Sequence, residues 1–192
     1  MLSAIIATKE SERTLVPTLS ALVPAAASGL LAEVVVADAS SKDATAEVAD
    51  IAGCRYLSSA KPVGARLKEA AGEARSPWLL FLRAGMVPQP GWIDAADHFI
   101  RITSPLEGAA RAAVFRPVMA SDGLRPGLGE IAALFRSAFG GAPDPEQGLL
   151  IARGFYLAVE GHSAAADAER DLLRRLGRRR LAMLPVAISR VA

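Results

Sequence analysis

Trp78-Leu79-Leu80-Phe81-Leu82-Arg83-Ala84-Gly85-Met86-Val87-Pro88-Gln89-Pro90-Gly91-Trp92 is the stretch whose reading decides the fold. Trp78 to Leu82 is wholly apolar, too short for a buried helix and the right length for a central strand covered on both faces. In open α/β sheets ligands bind beyond the carboxyl ends of the strands, which puts Arg83, Ala84 and Gly85 where a site belongs. Pro88, Pro90 and Gly91 predict a rigid, non-helical loop that lasts until a helix begins near Trp92.

Upstream, apolar runs alternate with helical patterns. Leu2 to Thr8 and the β-branched run Glu33 to Asp38 read as strands, and Arg55 to Ser58 as a weaker one. Between them, Thr14 to Val23 carries Leu15, Leu19, Leu22 and Val23 at helical spacing, with Pro17 expected in the first turn. Asp43 is placed to cap a helix through Ile51, and Ala65 to Ala74 forms a third helix. The β-α-β-α-β-α-β order predicts a parallel sheet with right-handed crossovers and helices on both faces.

Downstream the pattern is less regular. Helices are expected over Ile93 to Ile102, Ile131 to Phe139 and Ala165 to Leu176. Strands are expected over Ala112 to Val118, Leu149 to Arg153 and Leu181 to Ile188. Ser121 to Gly129 and Gly140 to Gln147 read as loops.

The chain has 192 residues, enough for one domain with a sizeable core, and a single domain is expected over 1–192. Its one cysteine, Cys54, and two histidines, His98 and His162, exclude an internal disulfide and a Cys/His metal site, so a metal would need carboxylates. The apolar stretch Leu15 to Leu31 is broken by Pro17, Ser20, Pro24, Ser28 and Gly29, which argues against a membrane span. The N-terminal apolar run has no basic region before it and reads as a strand, which leads to the expectation of a cytoplasmic protein. A net charge of +2 is too small to suggest nucleic acid. Arginines crowd the last segment, at 170, 174, 175, 178, 179, 180 and 190. They form a solvated helix face or a peripheral contact with anionic lipid at the inner face of a membrane.

Several of these stretches together resemble family-2 glycosyltransferases. In that family an apolar strand ends in Asp-x-Asp, followed by a Pro-rich loop and Gly-Trp; here Arg83-Ala84-Gly85 stands in place of Asp-x-Asp. Val36 to Thr45 is similar to the family's Val-Val-Asp-Asp-Gly-Ser-Thr-Asp-Gly-Thr, retaining Asp38, Ser41, Asp43 and Thr45. Ile5-Ile6-Ala7-Thr8 resembles its opening strand, and Gly64 to Ala74 its Gly-rich loop and Asn-containing helix, with Lys68 where the Asn usually stands. Gln147 to Arg153 and Glu169 to Leu176 resemble its Gln-Gly-x-Phe-x-Arg-Arg strand and Glu-Asp-x-Asp-Leu helix start.

The resemblance implies a GT-A fold, a Rossmann-like α/β/α sandwich with a mostly parallel sheet. Residues 1–103 would form the nucleotide-binding half and 104–192 the acceptor side. It further implies binding of a nucleoside diphosphate sugar, with Thr8 and Asp38 at the nucleoside, Arg83 with Lys61 or Lys68 at the diphosphate, and an acceptor of unknown identity. Glu169 stands at the position of the catalytic base, Ala168 replacing the other acid and Asp167 serving as the fallback. Because neither Arg83 nor Gly85 can hold a cation, no divalent metal and no other cofactor is expected. Two readings of function stay open: sugar transfer without a bound metal, and a catalytically inactive GT-A domain that binds or scaffolds partners in glycan assembly. Trp92 is a minor candidate for contact with the sugar.

Overall fold

The computed structural model describes residues 1–103, 110–117, 144–165 and 167–191. Strands β1 (Leu2–Thr8), β2 (Leu31–Asp38), β3 (Arg55–Ser58) and β4 (Trp78–Arg83) alternate with helices α1 (Glu12–Ala27), α2 (Thr45–Ile51) and α3 (Val63–Glu73). β5 (Met86–Pro88), α4 (Trp92–Thr103) and β6 (Ala112–Pro117) follow. After a 3-10 turn at Pro145–Gln147 come β7 (Leu149–Ala152), α5 (Arg153–Ala158), α6 (Ala168–Leu176), a second 3-10 turn at Arg178–Arg180, and β8 (Leu181–Arg190).

The eight strands among the described residues join one sheet in the order β3-β2-β1-β4-β7-β6-β8-β5. β1 pairs in parallel with β2 and β4, and β2 with β3, as the alternating pattern predicts. β7 runs antiparallel to β4 and β6, β8 runs parallel to β6, and β5 runs antiparallel to β8.

Side-chain alternation builds two apolar layers, one on each face of the sheet. Leu80 and Leu82 of β4 and Ile6 of β1 meet Leu15, Leu19 and Leu22 of α1 and Trp92 and Phe99 of α4. Leu79 and Phe81 of β4 and Ile5 of β1 meet Leu67 of α3, Tyr156 of α5 and Leu172, Leu173 and Leu176 of α6. Burying each such side chain contributes roughly 1.5–3 kcal/mol, which is why β4 tolerates no polar residue before Arg83.

Three expectations change. α1 begins at Glu12, so Pro17 lies beyond its first turn and Pro24 is also inside the helix; burial of Leu15, Leu19 and Leu22 outweighs the lost backbone bonds. The segment expected to be loop, Met86–Pro88, is a strand, and its edge position at the end of the sheet is one where proline is tolerated. Arg153–Ala158, expected in part as strand, turns directly into a short helix that buries Phe155 and Tyr156. The helix expected over residues 131–139, the loop over 121–129, Val118 and part of the 140–147 loop lie outside the described residues.

Trp78 packs edge-on to Phe99 at 5.9 Å, and Trp92 is buried with its Nε1–H donating to the Ala21 carbonyl at 3.1 Å. Trp92 therefore anchors α4 to α1, which corrects its candidacy as a sugar contact.

Gly64 is where the first turn of α3 meets the segment leading into α6. A Cβ there would lie 2.0 Å from the Ser163 carbonyl oxygen and 2.4 Å from Ala168 Cβ. Gly64→Ala is expected to destabilise the fold by about 1–3 kcal/mol through overpacking, read as a lower urea midpoint with an unchanged slope.

Candidate active site

The carboxyl edge of the parallel strands is organised by Asp38, the last residue of β2. Its carboxylate is buried and accepts from Thr8 Oγ1 at 2.7 Å, Ser41 Oγ at 2.6 Å and the Ser41 backbone N–H at 2.7 Å. Burial pushes the Asp38 pKa up, but the hydrogen bonds from Ser41 and Thr8 outweigh it and hold the group below its ordinary value of 3.8. Ser40, between them, has φ +58°, a left-handed conformation that L residues adopt at a cost. Asp38 and Thr8 are thus brought together, with the carboxylate's bonds spent on shaping the turn.

Asp43 was expected as a helix cap. The cap position falls on Ala44 instead, yet Asp43 Oδ1 accepts from the Thr45 N–H at 3.1 Å and Oδ2 from the Glu12 N–H at 3.0 Å. One carboxylate therefore serves the first turns of both α1 and α2.

Arg83, at the end of β4, meets Glu169 in the first turn of α6. Arg83 Nε donates to Glu169 Oε1 at 3.0 Å, and Nη2 donates to Oε2, a two-pronged pair. The arginine side chain is 40% exposed and the glutamate 14%, so the pair is reachable from solvent on the arginine side. The Glu169 hydrogen bond raises the Arg83 pKa against the opposing effect of burial. Gly85 cannot be exchanged for a carboxylate residue: its φ is +90°, and a Cβ would stand 2.6 Å from the Val191 carbonyl oxygen. Its N–H reaches Thr14 O and Thr18 Oγ1, both at 2.9 Å, so the turn after β4 is locked onto α1.

Arg83 and Glu169 stand at a polar cleft of ≈ 380 Å³, whose other charged lining residues are Asp144, Glu146, Asp167 and Arg170. Asp144 pairs with Arg170 at 3.2 Å, and Glu146 pairs with Arg190. Lys61 and Lys68 do not line this cleft; Lys61 pairs with Glu69 at 2.8 Å on the exposed surface.

Two buried groups escaped the sequence reading. Arg66 is 8% exposed and donates from Nη1 to the carbonyls of Thr8, at 3.2 Å, and Ala37, and from Nε to that of Lys61 at 3.2 Å. Burial lowers its pKa, outweighing the opposing charges of Asp38 and Glu169. A single arginine in the first turn of a helix otherwise opened by Val63, Gly64 and Ala65 was the available signal. His162 is 2% exposed: its Nδ1 lies 2.9 Å from Tyr156 Oη, its backbone N–H donates to the same oxygen at 3.1 Å, and its ring stands edge-on to Phe81.

An α/β sandwich with a cleft at the carboxyl edge and a mixed outer half of the sheet defines a GT-A fold. Residues 3–96, from β1 into α4, match the model described as glycosyl transferase family 2. Among solved structures, glucosyl-3-phosphoglycerate synthase from Mycobacterium tuberculosis with phosphoglyceric acid superposes with a TM-score of 0.70 at 17% identity, covering 100% of this chain and 72% of that one. S. aureus TarS 1-349 superposes with a TM-score of 0.70 at 15% identity over 97% of this chain and 59% of that one. Likeness at these identities shows the fold. No curated protein matches the chain in sequence.

The neighbours correct one expectation. The mycobacterial synthase is solved with Mn2+, UDP and glucosyl-3-phosphoglycerate, at 18% identity over 100% of this chain and 72% of that one, and also with Mg2+ and UDP. A divalent cation accompanies the nucleotide in those structures, so the expectation of none does not stand. In this chain Arg83, Ala84 and Gly85 offer no carboxylate, and among the described residues no group of three or more His, Cys, Asp or Glu could hold a metal ion. As placed, the described residues do not fit a cation.

His162 gives a pH test of this packing. Burial, aided by Arg175, lowers its pKa from 6.5 to about 3. Between these values the unfolded chain binds the proton and the folded chain does not, so stability is lost as pH falls from 6.5, at up to about 1.4 kcal/mol per pH unit. Chemical denaturation between pH 7 and 4.5 should show that decline, and His162→Gln should flatten it.

Proposed function

We propose that the chain binds a nucleoside diphosphate sugar and transfers the sugar to an acceptor hydroxyl. Residues 1–103 serve as the nucleotide half and residues 104–192 as the acceptor side. The observation that carries this reading is the Arg83–Glu169 pair at the mouth of a polar cleft beyond the carboxyl end of β4.

In this reading the turn held by Thr8 and Asp38 receives the nucleoside, with Arg66 fixing the β1 and β2 carbonyls beneath it. Arg83 exchanges its bonds to Glu169 for the donor diphosphate, whose oxygens match a guanidinium fork as well as a carboxylate does. Glu169 is thereby released beside the cleft as the general base. The bond between the anomeric carbon and the diphosphate oxygen breaks, and the electron pair leaves with the nucleoside diphosphate against Arg83. The acceptor oxygen bonds to the anomeric carbon, and its proton passes to Glu169.

The same ion pair also supports the second reading, a domain that binds a donor or partner without turnover, because a base held by an arginine is neutralised. The two differ in product formation.

Calorimetric titration with UDP, GDP and their sugar conjugates, with Mn2+ present as in the neighbouring structures, tests the donor site. Asp38→Ala and Arg83→Ala are each expected to weaken binding about tenfold or more, as loss of a charge-assisted contact does. Glu169→Gln should bind the nucleotide at least as tightly as the parent, since the competitor for Arg83 is gone. Its transfer or donor hydrolysis should fall about 10²- to 10⁴-fold. No binding of any nucleotide at millimolar concentration overturns the donor-site reading, and tight binding without turnover leaves the second reading standing.

A further inference from the structure

The edge of the sheet opposite the cleft is lined with arginines. Strand register aligns the amino ends of β1, β2, β4, β6 and β8 with the carboxyl end of β7: Leu2 pairs with Leu31 and Trp78, Trp78 with Ala152, and Ala112 with Ile151 and Leu181. Arg75 lies three residues before β4, Arg111 immediately before β6, and Arg178–Arg180 immediately before β8, all exposed. β4, β7, β6 and β8 are consecutive in the sheet, so these cations spread over three strand spacings, about 14 Å.

Among the described residues none of these five arginines pairs with a carboxylate, whereas Arg55, Arg83, Arg101, Arg170, Arg175 and Arg190 all do. Two acidic residues at this edge, Glu33 and Glu73, are held by Arg55. Two exposed aliphatic side chains accompany the cations: Met1, just before β1, at 65% and Leu157, in the helix that follows β7, at 56%.

We infer that this edge is a docking surface for an anionic lipid bilayer. A row of unpaired cations matches a plane of phosphate headgroups, where each arginine contributes on the order of 1 kcal/mol. Exposed aliphatic side chains among the cations suit the headgroup boundary. A single-stranded nucleic acid would call for aromatic platforms, and among the described residues none of the exposed large hydrophobic side chains is aromatic.

The test is co-sedimentation of the whole chain with phosphatidylcholine vesicles, with and without about 30% phosphatidylglycerol, at several salt concentrations. Binding is expected only to the anionic vesicles and should weaken as salt rises. The Arg178→Ala/Arg179→Ala/Arg180→Ala variant and the Arg75→Ala/Arg111→Ala variant should each lose about fivefold in partitioning per arginine removed. Arg101→Ala, which removes an exposed arginine already paired with Asp97, should bind as the parent does. Circular dichroism shows whether each variant is folded, and two independent variant sets keep the result readable if one is not. Absence of binding, equal binding to neutral vesicles, or unchanged partitioning in both folded variants overturns the inference. Capture by soluble polyphosphate or an oligonucleotide without vesicle binding overturns it in favour of a soluble polyanion.

Discussion

Trp78 to Leu82 are covered from both sides, by α1 and α4 on one face and by α3, α5 and α6 on the other. A strand so enclosed cannot hold a charge along its length, because a buried unpaired charge costs far more than any local contact returns. Polarity is therefore confined to its exit, and Arg83 is the first residue free to carry it. The β1 and β2 exits, Thr8 and Asp38, obey the same restriction at the same level of the sheet. The site lies where the two apolar layers end.

At that edge the polar groups are held by one another before any ligand arrives. Asp38 is satisfied by Thr8 and Ser41, Arg66 by three backbone carbonyls, and Arg83 by Glu169. The first two sets are buried and act as scaffolding, since removing any member would strand a buried donor or acceptor. The third faces the cleft and is open to solvent on its arginine side. Rigid framing beside solvent-reachable ion pairs gives the cleft a fixed shape with adjustable charge.

The amino-terminal half was legible because its physics is local: runs of apolar residues at period 2 or 3.6, separated by polar turns, mark its four strands and their helices. The outer half was harder to read for reasons visible in particular residues. β5 is three residues long and ends in Pro88, so its pairing with β8 depends on partners about one hundred positions away. α5 starts on the residue after β7 with no breaker between them. Arg66 and His162 looked like isolated polar residues, and their burial follows only from what the fold stacks above them. The absence of carboxylates at Arg83 and Gly85 was plain in the sequence; extending it to an expected absence of cations was the error, because a motif position is not the whole of a site.

The distance between the arginine edge and the cleft has an electrostatic meaning. β1 has seven residues, so the sheet is about 23 Å from edge to edge. At physiological ionic strength a charged surface is screened within about 8 Å. A protein standing on its arginines would hold its cleft beyond the repulsive field of the lipid beneath. A multiply charged anion could then be drawn from open water without working against the membrane potential that anchors the protein.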